Sequence, residues 1–567
     1  LLVLVESRGG YQVLFRNTTG LLTLVLFLFA GSAVAGIHDV QIPDPGEVGQ
    51  DVYLEHPGVP LSPPANPEVG DSWTWWLWTW QPMPPHFEQK VCTVRGKSDR
   101  GYVVVEDSEW MVTIDQADVD SILEHWNNSS IGSYPDMGIY ELDSLCFGDP
   151  PDELDNDPRI YLMWYDFQIS ADGFFFFFDE YPEGTYPEYH SNECEVLYLN
   201  TTSSGGPSGD YMHSVMAHEF QHLIHWKYDD NEVSWVNEGL SELAMWFYGN
   251  PDNISSFNSN PDNDLTVWDG AWADYIQTYL WTLYFFEQYG GNPAVYALVH
   301  EPANSMAGYD IILDQFGYSQ STQDVFTDWT VANFLDDTSI ADGQYGYTGD
   351  DLPVFYSTAY SSYPVEATKS VHHWAADYYR FQSIPFSGMI LAFDGADDNQ
   401  YGVNALVLHS AAAAEVLPMS LDQSTQSGTL TVNGLSSEDE VILAVASVSS
   451  TGGPTYQFSA GDATGITGGS GELTDLTLVP SVNPFNSTVT MQLGWSGNPG
   501  SVSPSVNVFD TQGRLVYTSS ADIVSAGSAV VQWNGTLSDG SAACSGIYYA
   551  RAEAGTEQCT AKLVLIR

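Results

Sequence analysis

Two histidines four residues apart in one helical stretch restrict this chain more than any other feature. From Tyr211 onward, Met212, Val215, Met216, Phe220, Leu223 and Ile224 recur at helical spacing, and His218-Glu219-Phe220-Gln221-His222 lies inside that run. Residues i and i+4 share one face of an α-helix, so both imidazoles project together and can hold one zinc ion. Glu219 sits beside the position such an ion leaves open, where a carboxylate can take a proton from a bound water. A catalytic zinc needs a third protein ligand, so the fold must return another element to this helix.

Extending the motif meets His225 and Tyr228, where a metzincin would place Gly and then His or Asp, and that route fails. The next candidate is Trp235-Val236-Asn237-Glu238-Gly239-Leu240-Ser241-Glu242, with fifteen residues between His222 and Glu238. A short loop and a second helix, expected from about Asn237 to Tyr248, would bring Glu238 to the metal. Glu242 lies one turn further on the same face, placed to accept the other N–H of a ligand histidine. His213 and His225 fall off the ligand spacing and read as structural or surface residues.

Ala217 to Ile224 together with Trp235 to Ala244 resembles the gluzincin metallopeptidases, the group containing thermolysin, and most of all their hyicolysin-type branch of secreted bacterial proteases. The resemblance covers about residues 100–340. It implies zinc ligands His218, His222 and Glu238, general base Glu219 and supporting acid Glu242. Such enzymes use a Tyr or His to stabilise the oxyanion. Asp274 to Tyr279 resembles the tyrosine-bearing helix of related aminopeptidases, which makes Tyr275 the candidate, with Tyr279 and His300 behind it. A simply packed Tyr275 is an equal alternative.

The chain is strongly acidic: 74 Asp and Glu against 14 Lys and Arg give a formal charge of −60. Such a field repels phosphate backbones, which excludes a nucleic-acid partner, and it suits either a secreted protein or one that binds divalent cations. Leu21 to Ala30 is too short for a membrane span; with Arg16 before it and Ala33-Val34-Ala35 after it, residues 1–35 read as a signal peptide. No other stretch could span a membrane. Five cysteines without a C-x-x-C pair make a thiolate metal site improbable and leave at least one unpaired; Cys544 and Cys559 are near enough in sequence for a local disulfide.

The expected architecture is α+β and multidomain. Seven prolines mark 36–70 as an extended lead-in. A β region follows over 71–115, where Trp73, Trp75, Trp76, Trp78 and Trp80 crowd together; inward packing is the better reading than a sugar platform. Residues 116–345 form a zincin-type catalytic domain with the motif helix and a helical subdomain. A helix is expected over Asp118 to Trp126, strands at Arg159 to Tyr165 and Glu195 to Leu199, a helix from Trp272 to Tyr289, and shorter helices to about Leu335. Two acidic loops, Asp152 to Asp157 and Asp262 to Asp269, would suit calcium, but neither has EF-hand spacing and a solvated loop is the better reading of each. A β-sandwich is expected over 365–460, a linker over 461–473, and a final β domain over 474–567.

That tail carries Val482-Asn483-Pro484-Phe485-Asn486, Gly513-Arg514, Trp533-Asn534-Gly535 and Ser545-Gly546-Ile547-Tyr548 in order. It resembles the immunoglobulin-like sorting domain of type IX secretion cargo, a fold shared with flagellar hook-capping proteins. The resemblance implies secretion machinery as partner and an extracellular or surface-attached product. The reading as a whole is a secreted zinc endopeptidase acting on proteins or peptides. A zinc aminopeptidase is one rival. A surface adhesin with a structural metal is another, and an intact Glu219 argues against it because a structural site has no need of a base.

Overall fold

The computed structural model describes residues 2–7, 10–17, 20–24, 48–54, 58–60, 62–152, 154–410, 412–463, 474–480, 483–486, 488–496, 505–520, 522–525, 528–538, 540–554 and 557–567. The chain divides into two compact units, one of residues 1–257 and 267–318, the other of residues 258–266 and 319–567.

In the first unit, β1 (Leu2–Ser7), β2 (Gly10–Asn17) and β3 (Gly20–Leu24) pair in a small antiparallel sheet. The Ala33-Val34-Ala35 pattern lies outside the described residues. The main sheet has β4 (Ser72–Thr79), β5 (His86–Lys97), β6 (Gly101–Glu106), β7 (Ile160–Tyr165), β8 (Gly173–Phe175) and β9 (Val196–Asn200) in the order β4-β5-β6-β7-β9-β8. The pairs β6–β7 and β7–β9 are parallel, and β8 runs antiparallel at the edge. The central strands are buried along their whole length, which is why they read as unbroken apolar runs.

Alternate residues divide the two faces. Tyr102, Val104, Tyr161, Met163, Tyr165, Val196 and Tyr198 join the buried Trp73, Trp75, Trp78 and Trp80 in one aromatic core. Four of the five tryptophans thus pack inward, as expected, while Trp76 is half-buried and stacks on His190. The other face takes helices, beginning with α1 (Gln116–Asn127), whose N-terminus is closed by a capping box of Asp115 and Asp118. Next comes α2 (Ile139–Phe147), which the sequence reading did not anticipate: at nine residues and opened by glycine without a side-chain cap, it lacks the usual start signal. The motif helix α3 (Asp210–Tyr228) lies against β8 and β9, and Phe220 packs its ring against Trp126 of α1 and Tyr140 of α2 at 4.9 and 5.3 Å.

Helix α4 (Ser234–Tyr248) returns after a five-residue loop, beginning three residues before the expected Asn237, and ends at Gly249 in the left-handed conformation. Helices α5 (Trp272–Gln288), α6 (Gly291–Val299) and α7 (Met306–Phe316) complete the unit. Gly239 lets α4 and α5 approach closely, since a Cβ there would stand 2.4 Å from Thr282 Oγ1.

The second unit carries α8 (Thr322–Leu335), expected within the catalytic region but packed instead on the β-sandwich, where Tyr378 donates to the Thr330 carbonyl at 2.6 Å. Asp262 and Asp264 of the expected acidic loop belong here, whereas Asp269 belongs to the first unit; the Asp262 carboxylate accepts the His372 backbone N–H at 2.6 Å. The sandwich has sheets of five and four strands between Thr358 and Asp462, so residues 461–462 finish a strand rather than open a linker. Most of the expected linker, 464–473, lies outside the described residues.

The C-terminal module has two four-stranded sheets around a core containing Trp533. Its sequence signature has a structural reason. Asn483 donates to the Lys562 carbonyl at 2.6 Å and accepts the Val564 N–H at 2.8 Å, clamping the last strand. All five cysteines are free, so Cys544 and Cys559 are not paired. Among the described residues no helix is long and apolar enough to cross a membrane.

Candidate metal centre

Helices α3 and α4 pack against one another and bring three sequence-selected side chains together. One ligand atom each from His218, His222 and Glu238 lies within 4.8 Å of the other two, and all three residues are buried. Glu238 Oε2 stands 3.3 Å from His218 Nε2 and 3.7 Å from His222 Nε2. Ligand atoms about 2.0–2.1 Å from a tetrahedral zinc are about 3.3–3.4 Å apart; the His218–Glu238 separation equals this and the His222–Glu238 separation is a few tenths of an ångström longer.

The outer nitrogens of both imidazoles are also engaged. His218 Nδ1 is 3.3 Å from Glu242 Oε1. His222 Nδ1 is 3.1 Å from Asn237 Oδ1 and equally far from Ser241 Oγ. A proton on Nδ1 toward these acceptors leaves the Nε2 lone pair facing Glu238, the tautomer a metal requires. Burial disfavours a charged His218, yet Glu238 and Glu242 on its two sides hold its pKa well above the ordinary histidine value. The pocket is built to hold positive charge.

Glu219 is fully buried on α3, and it touches the edge strand at Gly173. A Cβ on Gly173 would stand 2.7 Å from Glu219 Oε1 and 2.9 Å from both Glu219 Cγ and Val215 Cγ1. Glycine here is a matter of space at the carboxylate. Gly173→Ala is expected to displace Glu219, lowering any hydrolysis by about 10²-fold while leaving metal content unchanged. Atomic absorption beside a kinetic assay checks this, and unchanged kcat would show that the contact is immaterial.

Tyr275 is buried on α5 with its ring 4.7 Å from Trp268 and 6.3 Å from Trp272. Tyr279 is buried on the same helix. His300 stacks on Tyr228 and Tyr296 at 3.7 and 4.2 Å. His213 is not a surface residue: it is buried against His125 at 4.3 Å, and burial lowers its pKa to about 3. His225 is also buried, and its Nδ1 is 3.0 Å from the same Asn237 oxygen that His222 meets.

Asn237, Ser241, Gly173 and Asp143 were not given roles by sequence reasoning. Asn237 is adjacent to Glu238 in sequence, and that adjacency is the signal that marks it. Asp143 carried no local signal; it is buried on α2, close enough to sense the His218 charge, and burial drives its pKa well above the carboxylate range. The acidic loops gather no comparable ligand set among the described residues. Asp157 instead binds Tyr102 and Arg159, each at 2.7 Å.

Comparison with known proteins agrees with two parts of this picture. Residues 480–558 match the FlgD Ig-like domain. Neutral metalloprotease ShpI of Staphylococcus hyicus is a distant homologue, 24% identical over 222 residues that cover 33% of this chain and 48% of that protein. The match thus spans about half the length of that curated relative. Among solved structures, dimeric latent PorU from Porphyromonas gingivalis aligns at 13% identity over 33% of this chain and 19% of its own, with a TM-score of 0.17. Bifidobacterium dentium beta-glucuronidase aligns at 8% over 34% and 39%, with a TM-score of 0.12. Global similarity that low carries nothing about this chain.

Proposed function

We propose that this chain, a distant homologue of a neutral metalloprotease, is a secreted zinc-dependent endopeptidase. The observation that carries the reading is the meeting of His218, His222 and Glu238 within 4.8 Å, with Glu219 on the same helix. Bound there, zinc would polarise a water and the scissile carbonyl. Glu219 takes the water's proton and returns it to the leaving amine. Glu242, Asn237 and Ser241 orient the two imidazoles. A Tyr or His steadies the oxyanion, and Tyr275 is the candidate.

The burial of Trp73, Trp75, Trp78 and Trp80, which leaves only Trp76 of the five partly exposed, favours the enzymatic reading over an adhesin. The tail, matched to an FlgD Ig-like domain, is read as a sorting module that engages the secretion machinery and leaves the product outside the cell or on its surface.

The test is digestion of an unstructured protein with and without a chelator, with cleavage sites read by mass spectrometry. Internal cuts that stop on chelation are expected. Stepwise loss from the ends would make the chain an aminopeptidase, and no cuts at all would overturn the enzymatic reading. A chain ending near Gly468 is expected to cut equally well yet fail to reach the surface of its native host; arrival there without the tail would end the sorting role.

A further inference from the structure

A cleft of about 430 Å³ opens beside the metal group, reaching His222 and Glu238. Its walls include the rings of Phe175, Tyr181 and Trp226 and the carboxylates of Asp229, Asp230 and Glu232, and among the described residues no lysine or arginine lines it. Trp226 meets Tyr181 edge-on at 5.8 Å and Phe175 at 6.5 Å.

The acids stand where a protein of ordinary design avoids them. Asp229 is the C-cap of α3, a nineteen-residue helix, and its backbone N–H donates to the His225 carbonyl. The C-terminal end of a helix carries partial negative charge and favours cations, so an acid there is unfavourable unless a cation joins it. Asp229 is only 7% exposed, and its Oδ2 has no hydrogen-bond partner among the described residues. Burial, with the acidic Asp230 and Glu301 nearby, raises its pKa even though the Asn231 backbone N–H donates to the carboxylate. Glu232 differs: its Oε1 already accepts the N–H groups of Val233 and Ser305 at 2.6 and 2.9 Å. Asp229 Oδ2 is left as a buried acceptor in a cleft with aromatic walls, a setting that attracts an organic cation through both charge and ring quadrupoles.

We infer that this cleft is a substrate subsite for a basic side chain, with Asp229 holding the lysine ammonium or arginine guanidinium and Tyr181 and Trp226 packing the methylene stem. The inference rests on the peptidase reading and deepens it: hydrolysis falls beside basic residues. The net charge of −60 adds long-range attraction for such substrates.

The test measures binding separately from turnover. Glu219→Gln in the full chain, so that peptides survive, is titrated by ligand-observed NMR with N-acetylated hexapeptides that differ only in lysine or norleucine at one scanned position. Lysine is expected to bind about 10-fold more tightly at one position, with the preference shrinking at high salt. Adding Asp229→Asn should bring the ratio to about one. Tyr181→Leu, on a partly exposed side chain, should reduce it even if the Asp229 change fails to fold. Equal affinities, or a preference that survives Asp229→Asn in a folded chain, overturn the subsite. So does a free-amine norleucine peptide that binds as well as acetylated lysine, because the cleft would then take an α-amine. A lysine preference without any cleavage in the digestion experiment would sink the peptidase reading and leave the cation site standing.

Discussion

Replacing Glu219 with glutamine is expected to leave the zinc in place and lower peptide hydrolysis by on the order of 10²–10⁴-fold or more. Glutamine keeps the size of the side chain and its contact with Gly173, but its amide cannot accept the proton of a water at neutral pH. The three candidate ligand atoms belong to His218, His222 and Glu238, so the change touches none of them. Metal content by atomic absorption and kcat on one peptide, measured on the same preparation, decide the matter. Full zinc with turnover retained would remove Glu219 from the chemistry. Loss of both metal and activity would mean that Glu219 supports the site's structure instead.

Zinc retention should also rank three carboxylates. Glu238→Ala is expected to lose the metal most readily, because Glu238 Oε2 faces both Nε2 atoms and its removal leaves two imidazoles. Glu242→Ala removes the acceptor beside His218 Nδ1, a loss of orientation that costs about 10–100-fold in affinity or activity. Glu232→Ala should matter least to zinc, because that carboxylate accepts backbone N–H groups in the loop between α3 and α4. Dialysis against a graded chelator series measures the order. If Glu238→Ala holds zinc as firmly as the parent, the third ligand lies elsewhere, and the resemblance to gluzincins fails at its defining residue.

The candidate site was legible because its parts are short-range. The i, i+4 spacing of His218 and His222 places both on one helix face whatever surrounds them, and α4 follows after a loop too short to lead elsewhere. The strands β7 and β9 and the helices α1, α3 and α5 were legible for a similar reason, since apolar periodicity survives in any packing. Helix α2 was not, because its nine residues carry no cap and too few turns to establish a period. The membership of α8 was not either: its apolar face is visible in sequence, but which neighbour covers it depends on the chain's later course.

By itself, then, the sequence determined the motif helix, the candidates His218, Glu219, His222, Glu238 and Glu242, the aromatic strands and the β-rich tail, since each rests on residue type and local spacing. Tertiary structure alone decided what stands against them. It set Gly173 of an edge strand against Glu219, joined Asn237 to both His222 and His225, and packed Tyr275 against tryptophans. It also turned an unremarkable Asp229 into a buried carboxylate at a helix C-terminus among aromatic rings. Burial and the partners across a cleft are properties of the packed chain: desolvation and close approach depend on residues distant in sequence, which no local pattern specifies.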